Sequence, residues 1–395
     1  MKEINHIISE YAKVDHTNRQ VALATVVRVR GSSYRSPGAR MLITDDGHWV
    51  GSISGGCLEG DALRKARQVM RDKIPMAVTY DTREESNQKL GIGLGCNGII
   101  DVLIEPVSHE ENNNPISILR QISEEQEAVA LATVFNDSFQ GAGKKILINQ
   151  AGDLLSNFMD SEITPMVLND LKKIFETSQS EVKSYSHPSA CEVFVELIQP
   201  TISLIIFGGG FDARPVSHLA KSLGWNVIVT DECVSHIAPV FFPNADKLSL
   251  CQREFIDRDF PITPYTACVL MSHNYEYDRD VLKKILKTKT PYIGMLGPRK
   301  RFEKMQEEFL SNGTVIAEKD FHRIHSPIGL DIGAETPDEI AVSIIAEIQS
   351  KFANRSGGFM KYNSGPIHHR DVHTNQVFKQ VYLGVADQSK TISNQ

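Results

Sequence analysis

Apolar and polar positions follow two rhythms along this chain, and the change falls near residue 199. In the first part, short β-rich runs flank polar loops, and the same order occurs twice. Residues 22–27 read ALATVV and residues 130–135 read ALATVF. Arg40-Met41-Leu42-Ile43 and then Gly47 follow the first run. Lys145-Ile146-Leu147-Ile148 and then Gly152 follow the second, with the same internal spacing. Each pair of runs predicts two strands around a polar loop. Helical spacing comes next in both copies, over residues 58–71 and 165–177. A closing strand follows, Ile100–Pro106 in one copy and Glu192–Glu196 in the other. The matched order predicts a diverged internal duplication. Its repeats cover about 1–107 and 115–198, joined by the polar stretch 108–114.

Beyond residue 199 the rhythm becomes that of a parallel sheet. Thr201–Phe207 is an apolar run of the kind buried on both faces. It runs into Gly208-Gly209-Gly210-Phe211-Asp212-Ala213, a G-x-G-x-x-A sequence. Val216, Leu219, Ala220 and Leu223 continue at helical spacing, Gly224 ends that helix, and Trp225–Val229 predicts the next strand, ending at Asp231 and Glu232. Glycines here suit a tight turn that approaches phosphates, and Asp231 stands where an acid would hold a ribose. Ala267–Met271 and Pro291–Gly297 predict further strands. Val281–Leu286 and the Phe302, Met305, Phe309 pattern predict further helices. Thr336-Pro337-Asp338-Glu339 predicts a capped helix start. The expected class is α/β: an N-terminal α+β domain with internal duplication over 1–198, then a Rossmann-like, doubly wound parallel sheet over 199–352. Residues 353–395, rich in Gly, Asn, His and Gln, predict a disordered tail.

Composition narrows the function classes. The net charge is −7, and no basic stripe interleaves with aromatics, which argues against nucleic acid as the main partner. No apolar run approaches the roughly 18 residues a membrane span needs. The first 15 residues are charged and amphipathic and lack the apolar core of a signal peptide, so a cytoplasmic protein is expected. The six cysteines, Cys57, Cys96, Cys191, Cys233, Cys251 and Cys268, are scattered with no C-x-x-C pair. They suggest neither a disulfide framework nor a metal cage. A homodimer is the generic expectation.

The two copies differ in chemistry. Only the first carries Gly31-Ser32-Ser33, Ser54-Gly55-Gly56-Cys57 and Gly93-Leu94-Gly95-Cys96-Asn97-Gly98. The first copy is therefore the candidate site and the second its buttress. Cys57 stands at a predicted helix start, where the macrodipole favours a thiolate or a phosphate. It either handles metal or sulfur, or packs as a small hydrophobe. Glu59 and Asp61 either position or deprotonate a ligand, or are simply first-turn acids. Cys96 shares the loop setting, and the other four cysteines read as packing residues. Arg35 and Arg40 are phosphate candidates or surface charges. In the second half, Gly208, Gly209, Gly210 and Asp231 are candidate nucleotide contacts. His273 follows a predicted strand, either at a carboxyl-edge ligand site or as a loop histidine capping Asp278 or the backbone. Lys300 and Arg301 near Gly297 either meet phosphate or, the simpler reading, form a solvated helix start, and His368, His369 and His373 either bind metal adventitiously or, more simply, belong to a disordered tail.

Gly31–Ala39, Ser54–Glu59 and Gly93–Cys96 resemble loops of the XdhC/CoxI family. So do Phe207–Gly210, Met271–His273, Tyr292–Gly297 and Ser326–Ala334 in the second half. The resemblance covers about residues 10–350. It implies an accessory chaperone that binds molybdenum cofactor, assists its sulfuration and inserts it into a xanthine dehydrogenase-type molybdenum hydroxylase. Such a protein is a maturation factor more than an enzyme. Some family proteins carry the label xanthine dehydrogenase, but this chain is too short for that enzyme and lacks its iron–sulfur cysteines. The expected cofactor contacts are Ser32, Ser33, Arg35, Gly55, Gly56, Cys57, Cys96, Gly208, Gly209, Gly210, Asp231 and His273, with Cys57 on the molybdenum of the cargo. Should the chain catalyse, Cys57, Glu59 and His273 are the candidate groups. The expected partners are the hydroxylase and a cysteine desulfurase, and the site is expected where the two halves meet. Asn97 stands where glycine is common in the family, and asparagine tolerates the left-handed region. Two rivals remain: an NAD(P)-dependent oxidoreductase with His273 as acid–base group and Asp231 on the ribose, or an adaptor that holds no cofactor.

Overall fold

Alternate residues of the two ALAT runs face opposite ways, and this alternation builds the first part of the molecule. The computed structural model describes residues 1–82, 98–112, 114–137, 141–157, 162–186 and 190–362. The chain divides into two units, in the main Glu3–Gln199 and Pro200–Met360. The first unit runs α1 (Lys2–Tyr11), β1 (Val21–Gly31), β2 (Arg40–Thr44), β3 (Trp49–Gly51), α2 (Glu59–Asp72), β4 (Met76–Asp81) and β5 (Gly98–Val107). It continues through α3 (Pro115–Glu124), β6 (Val129–Asp137), β7 (Lys145–Asn149), β8 (Leu154–Asn157), α4 (Thr164–Thr177), β9 (Glu181–Tyr185) and β10 (Cys191–Ile198).

These strands form two antiparallel sheets of one plan, β3-β2-β1-β5-β4 and β8-β7-β6-β10-β9. Ala22, Ala24 and Val26 lie under α2, against Ala62, Ala66 and Val69. Ala130, Ala132 and Val134 lie under α4, against Val167, Leu171 and Ile174. The short alanine side chains let each helix seat close to its sheet. The alternate residues, Leu23 and Leu131 among them, enter one core shared by both sheets with α1 and α3. The sequence pattern predicts two strands, a helix and a strand for each copy. The structure adds β3 and β4 in the first copy and β8 and β9 in the second. These strands are short, and β3, β4 and β9 are only partly buried, so they carry no continuous apolar run.

Two buried ion pairs cross between the sheets. Arg40, at the start of β2, meets Glu196 of β10, and Lys145, at the start of β7, meets Glu105 of β5. Each cation also bonds a carbonyl of its own loop, Arg40 that of Gly38 at 2.7 Å and Lys145 that of Gly143 at 3.0 Å. The two bridges are copies of one another with the roles of the sheets exchanged.

The second unit runs β11 (Ser203–Phe207), α5 (Ala213–Ser222), β12 (Asn226–Asp231), β13 (Lys247–Leu250), α6 (Ile256–Asp259), β14 (Thr266–Leu270), α7 (Tyr275–Ile285), β15 (Tyr292–Met295), α8 (Arg299–Ser311), α9 (Glu318–Phe321), β16 (Ile324–His325) and α10 (Pro337–Phe352). Its sheet is parallel throughout, in the order β13-β12-β11-β14-β15-β16. Numbered within the unit, this is 3-2-1-4-5-6, the doubly wound order with a switch point between β11 and β14. Leu204 and Ile206 face the core with α5 and α10, and Ile205 and Phe207 face the core with α7 and α8. The capping box at Thr336 and Glu339 forms as its sequence predicts. Residues 363–395, with the three tail histidines, lie outside the described residues. Among the described residues no helix is long and apolar enough to cross a membrane.

Candidate functional site

In the first unit, the loop from Ser52 to Leu58 carries Cys57 to the start of α2. Ser54 organises it. Its hydroxyl oxygen accepts from the N–H groups of Gly56, Cys57 and Leu58, at 3.2, 3.0 and 3.1 Å. Its hydroxyl donates to Glu59 Oε2 at 2.5 Å. Glu59 Oε1 accepts from the Ser52 hydroxyl at 2.8 Å and the Ser54 N–H at 2.9 Å. Burial pushes the Glu59 carboxyl up, but these serine bonds outweigh it and leave the group below its usual range. Glu59 is 5% exposed and taken up in holding the loop. This places it as an anchor rather than a base facing a ligand.

The same bonds correct the expected phosphate cradle. The donors of Gly56, Cys57 and Leu58 converge on Ser54, a turn that the chain closes on itself ahead of α2. The thiol fares differently. Cys57 is half-buried, its inner side packed on the core under α2. A Cβ at Gly56 or Gly60 would meet nothing within 4 Å, and one at Gly55 would touch only the ring of Tyr34. Tyr34 itself is exposed. The loop around the thiol therefore leaves space open at Gly56 and Gly60.

Ser32 is exposed and Ser33 buried in the loop between β1 and β2. Arg35 forms an ion pair with Glu3 of α1, so its charge has a partner within the chain. Arg40 is neither a surface charge nor a phosphate contact; it is buried on Glu196. Asp61 pairs with Arg64 on the outside of α2. Cys96 and the loop of residues 93–97 lie outside the described residues.

In the second unit, the loops after β11 and β14 meet at the switch point. Gly208 has φ +118°, and a Cβ there would lie 2.4 Å from Ser272 Cα, so only glycine fits. Gly210 faces the ring of His273, which is held at φ 61° with Nε2 3.1 Å from Asp212 Oδ2. The expected alternative partner, Asp278, is instead taken by the Ser272 hydroxyl at 2.6 Å and Arg301 at 2.7 Å. Arg301 is thus not a solvated cation. Asp231 is drawn inward as well. It accepts from the N–H groups of Gly209 and Cys233, each at 2.8 Å, and stands 3.1 Å from His236 Nδ1. The carbonyl of His236 lies over Gly209. An ionised carboxylate has about four acceptor positions, and three here face the chain's own donors. That leaves little of Asp231 for a ribose, and the Asp212 carboxylate puts a negative charge at the start of α5.

The cysteines divide by burial. Cys191, Cys251 and Cys268 are buried, as packing residues should be. Cys233 corrects the expectation: it is exposed, and the Ser235 hydroxyl 3.0 Å from its sulfur lowers its pKa. Its place just past the strand-ending Asp231 was the sequence signal. The role of Ser54 carries a weaker sequence signal, a serine two to four residues ahead of a helical run.

An antiparallel double-sheet unit bearing a half-buried thiol, followed by a Rossmann-like unit, defines an α/β protein. Among the described residues, no three His, Cys, Asp or Glu side chains gather as metal ligands. The chain belongs to the XdhC and CoxI family: residues 15–81 match that family, and residues 204–348 match the XdhC Rossmann domain. It is 30% identical to a Bacillus subtilis (strain 168) protein named as a probable xanthine dehydrogenase subunit, over 83% of this chain and 92% of that one. It is 23% identical to the molybdenum cofactor insertion chaperone PaoD of Escherichia coli (strain K12), over 85% and 84% of the two chains. A crystal structure described as a xanthine dehydrogenase from Bacillus halodurans superimposes with a TM-score of 0.72 at 28% identity, covering 92% of this chain and 98% of that one.

Proposed function

We propose that this protein carries molybdenum cofactor as cargo, supports its sulfuration, and hands it to a xanthine dehydrogenase-type hydroxylase, with Cys57 as the contact to the metal or its sulfur. The observation that carries the reading is the half-buried thiol beside the side-chain-free positions Gly55, Gly56 and Gly60. A thiolate is a soft ligand suited to a molybdenum that arrives with its own dithiolene sulfurs. A single thiol would suffice for such cargo, because the metal would arrive with its dithiolene and terminal ligands already in place. The thiol side of the site fits this group. The loop's N–H donors do not fit its phosphate, since Ser54 holds them. The names of the Bacillus subtilis and Escherichia coli relatives support the same reading.

The test is to load purified protein with cofactor and measure bound molybdenum and oxidised pterin per chain. Wild type is expected near one equivalent, with Cys233→Ala unchanged. Cys57→Ala is expected to lose about tenfold or more in affinity, the scale of one lost metal bond or its outer support. No binding by wild type to either sulfurated or desulfo cofactor refutes the proposal. Full binding by a folded Cys57→Ala variant removes Cys57 from it.

A further inference from the structure

A cavity of about 410 Å³ opens in the second unit between α5, α10 and the turn of residues 241–244. Its walls are largely apolar, with Phe211, Phe241, Phe242, Pro215 and Val342 among them. Phe211 is 67% exposed and Val342 50%, so the rim of the cavity presents apolar surface to solvent. The size is that of a small-molecule site.

Arg214 gives the cavity its charge. Its guanidinium carbon lies 3.7 Å from the centroid of the Phe241 ring and 5.3 Å from that of Phe211. It makes no hydrogen bond or ion pair with any described residue, and its enclosed Nε has no partner. Other partly buried arginines of this unit are matched: Arg253 by Glu232 and Asp280, Arg301 by Asp278, Arg323 by Asp320 and backbone carbonyls. A half-desolvated cation without a counter-ion is costly, and rings against a guanidinium face leave only its in-plane N–H donors for a ligand. A planar carboxylate meets such donors two at a time. Asp338 lines the same cavity without pairing to Arg214, so a second negative charge on a ligand would be repelled.

We propose that this cavity is a binding site for a small aromatic monocarboxylate, its ring among Phe211, Phe241 and Phe242 and its carboxylate on Arg214. The site lies on the α5–α10 face of the second unit, where Phe211 borders it from the glycine loop after β11, and none of its residues belongs to the thiol loop. The test uses the full chain and two probes of one shape, naphthalene-2-carboxylate and naphthalene-2-methanol, titrated by calorimetry and ligand-observed NMR. The carboxylate is expected to bind wild type about tenfold more tightly than the alcohol, as a charge-assisted pair requires. Arg214→Met, which keeps the apolar stem, should bring the carboxylate down to the level of the alcohol. Val342→Trp, which fills the cavity from α10, should weaken both. Inorganic phosphate should displace neither. Equal binding of acid and alcohol by wild type overturns the proposal, as does undiminished carboxylate binding by either folded variant or displacement by phosphate.

Discussion

At the scale of single residues, Ser54 and Glu59 decide what the thiol loop can do. Ser54 accepts three N–H bonds and Glu59 fixes Ser54, so Ser54→Ala leaves the N–H groups of Gly56 and Cys57 without that acceptor and the Leu58 N–H with Glu59 Oε2 alone. A loss of about 1–3 kcal/mol is expected in urea unfolding. Glu59 makes a second, pH-dependent expectation. Its folded pKa is lowered, so its contribution is fully present above the ordinary carboxyl range of about 4.3 and is lost as pH falls through the folded value. Stability measured from pH 7 down to 3 should therefore drop more steeply in wild type than in Glu59→Gln within that window. A parallel slope in the two proteins refutes the assignment. Thiol reactivity separates the cysteines in the same way. Burial pushes Cys251 up to about 11 and Cys268 up to about 12, whereas the exposed Cys233 is lowered by Ser235. Maleimide at neutral pH should label Cys233 ahead of both, which should react only on unfolding. The glycine–cysteine loop stood out as a candidate site because its residue types are distinctive. The roles of Ser54 and Asp231 did not, because a short polar side chain declares its partner only once the backbone has turned back on itself.

At the scale of elements, the ALAT runs were readable because alternation and small size coincide in them: alanines face the helix, larger residues face the shared core. The partly buried edge strands β3, β4 and β9 lack that signal. The crossed ion pairs were present in the sequence without being read. A basic residue opens the second strand of both copies and a glutamate sits in both closing strands, at matched places. Their energetics give a direct expectation. Lys145→Met strands the Glu105 carboxylate in the core and should cost about 3–5 kcal/mol, whereas the double variant with Glu105→Met should recover most of that loss. Chemical denaturation of the three proteins checks it, and an additive double variant argues against a coupled pair.

At the scale of the whole molecule, strand order and ligand chemistry pull apart. The 3-2-1-4-5-6 order was predictable from alternating strand and helix patterns, and it is the order of dinucleotide-binding sheets. The side chains at the switch point tell against that use, with Asp231 turned onto Gly209 and Asp212 beside His273. Titration with NADH followed by fluorescence is therefore expected to give no saturable signal. Tight binding with turnover of a small substrate would revive the oxidoreductase reading. Fold and function were legible to different depths because a sheet is specified by many apolar positions, and a ligand by a few polar ones whose bonds cross the chain.

The exchange of bridges between the two sheets carries a consequence for how such a chain could arise and be taken apart. Arg40 and Glu105 belong to the same repeat, yet each is neutralised by the other repeat. A fragment of residues 1–107 holds both halves of a bridge that it cannot close on itself. Two copies of that fragment, set about a two-fold axis, would close it twice and cover the exposed core face as well. Such a fragment should sediment as a dimer, the symmetric ancestor that the present chain has fused and then allowed to diverge.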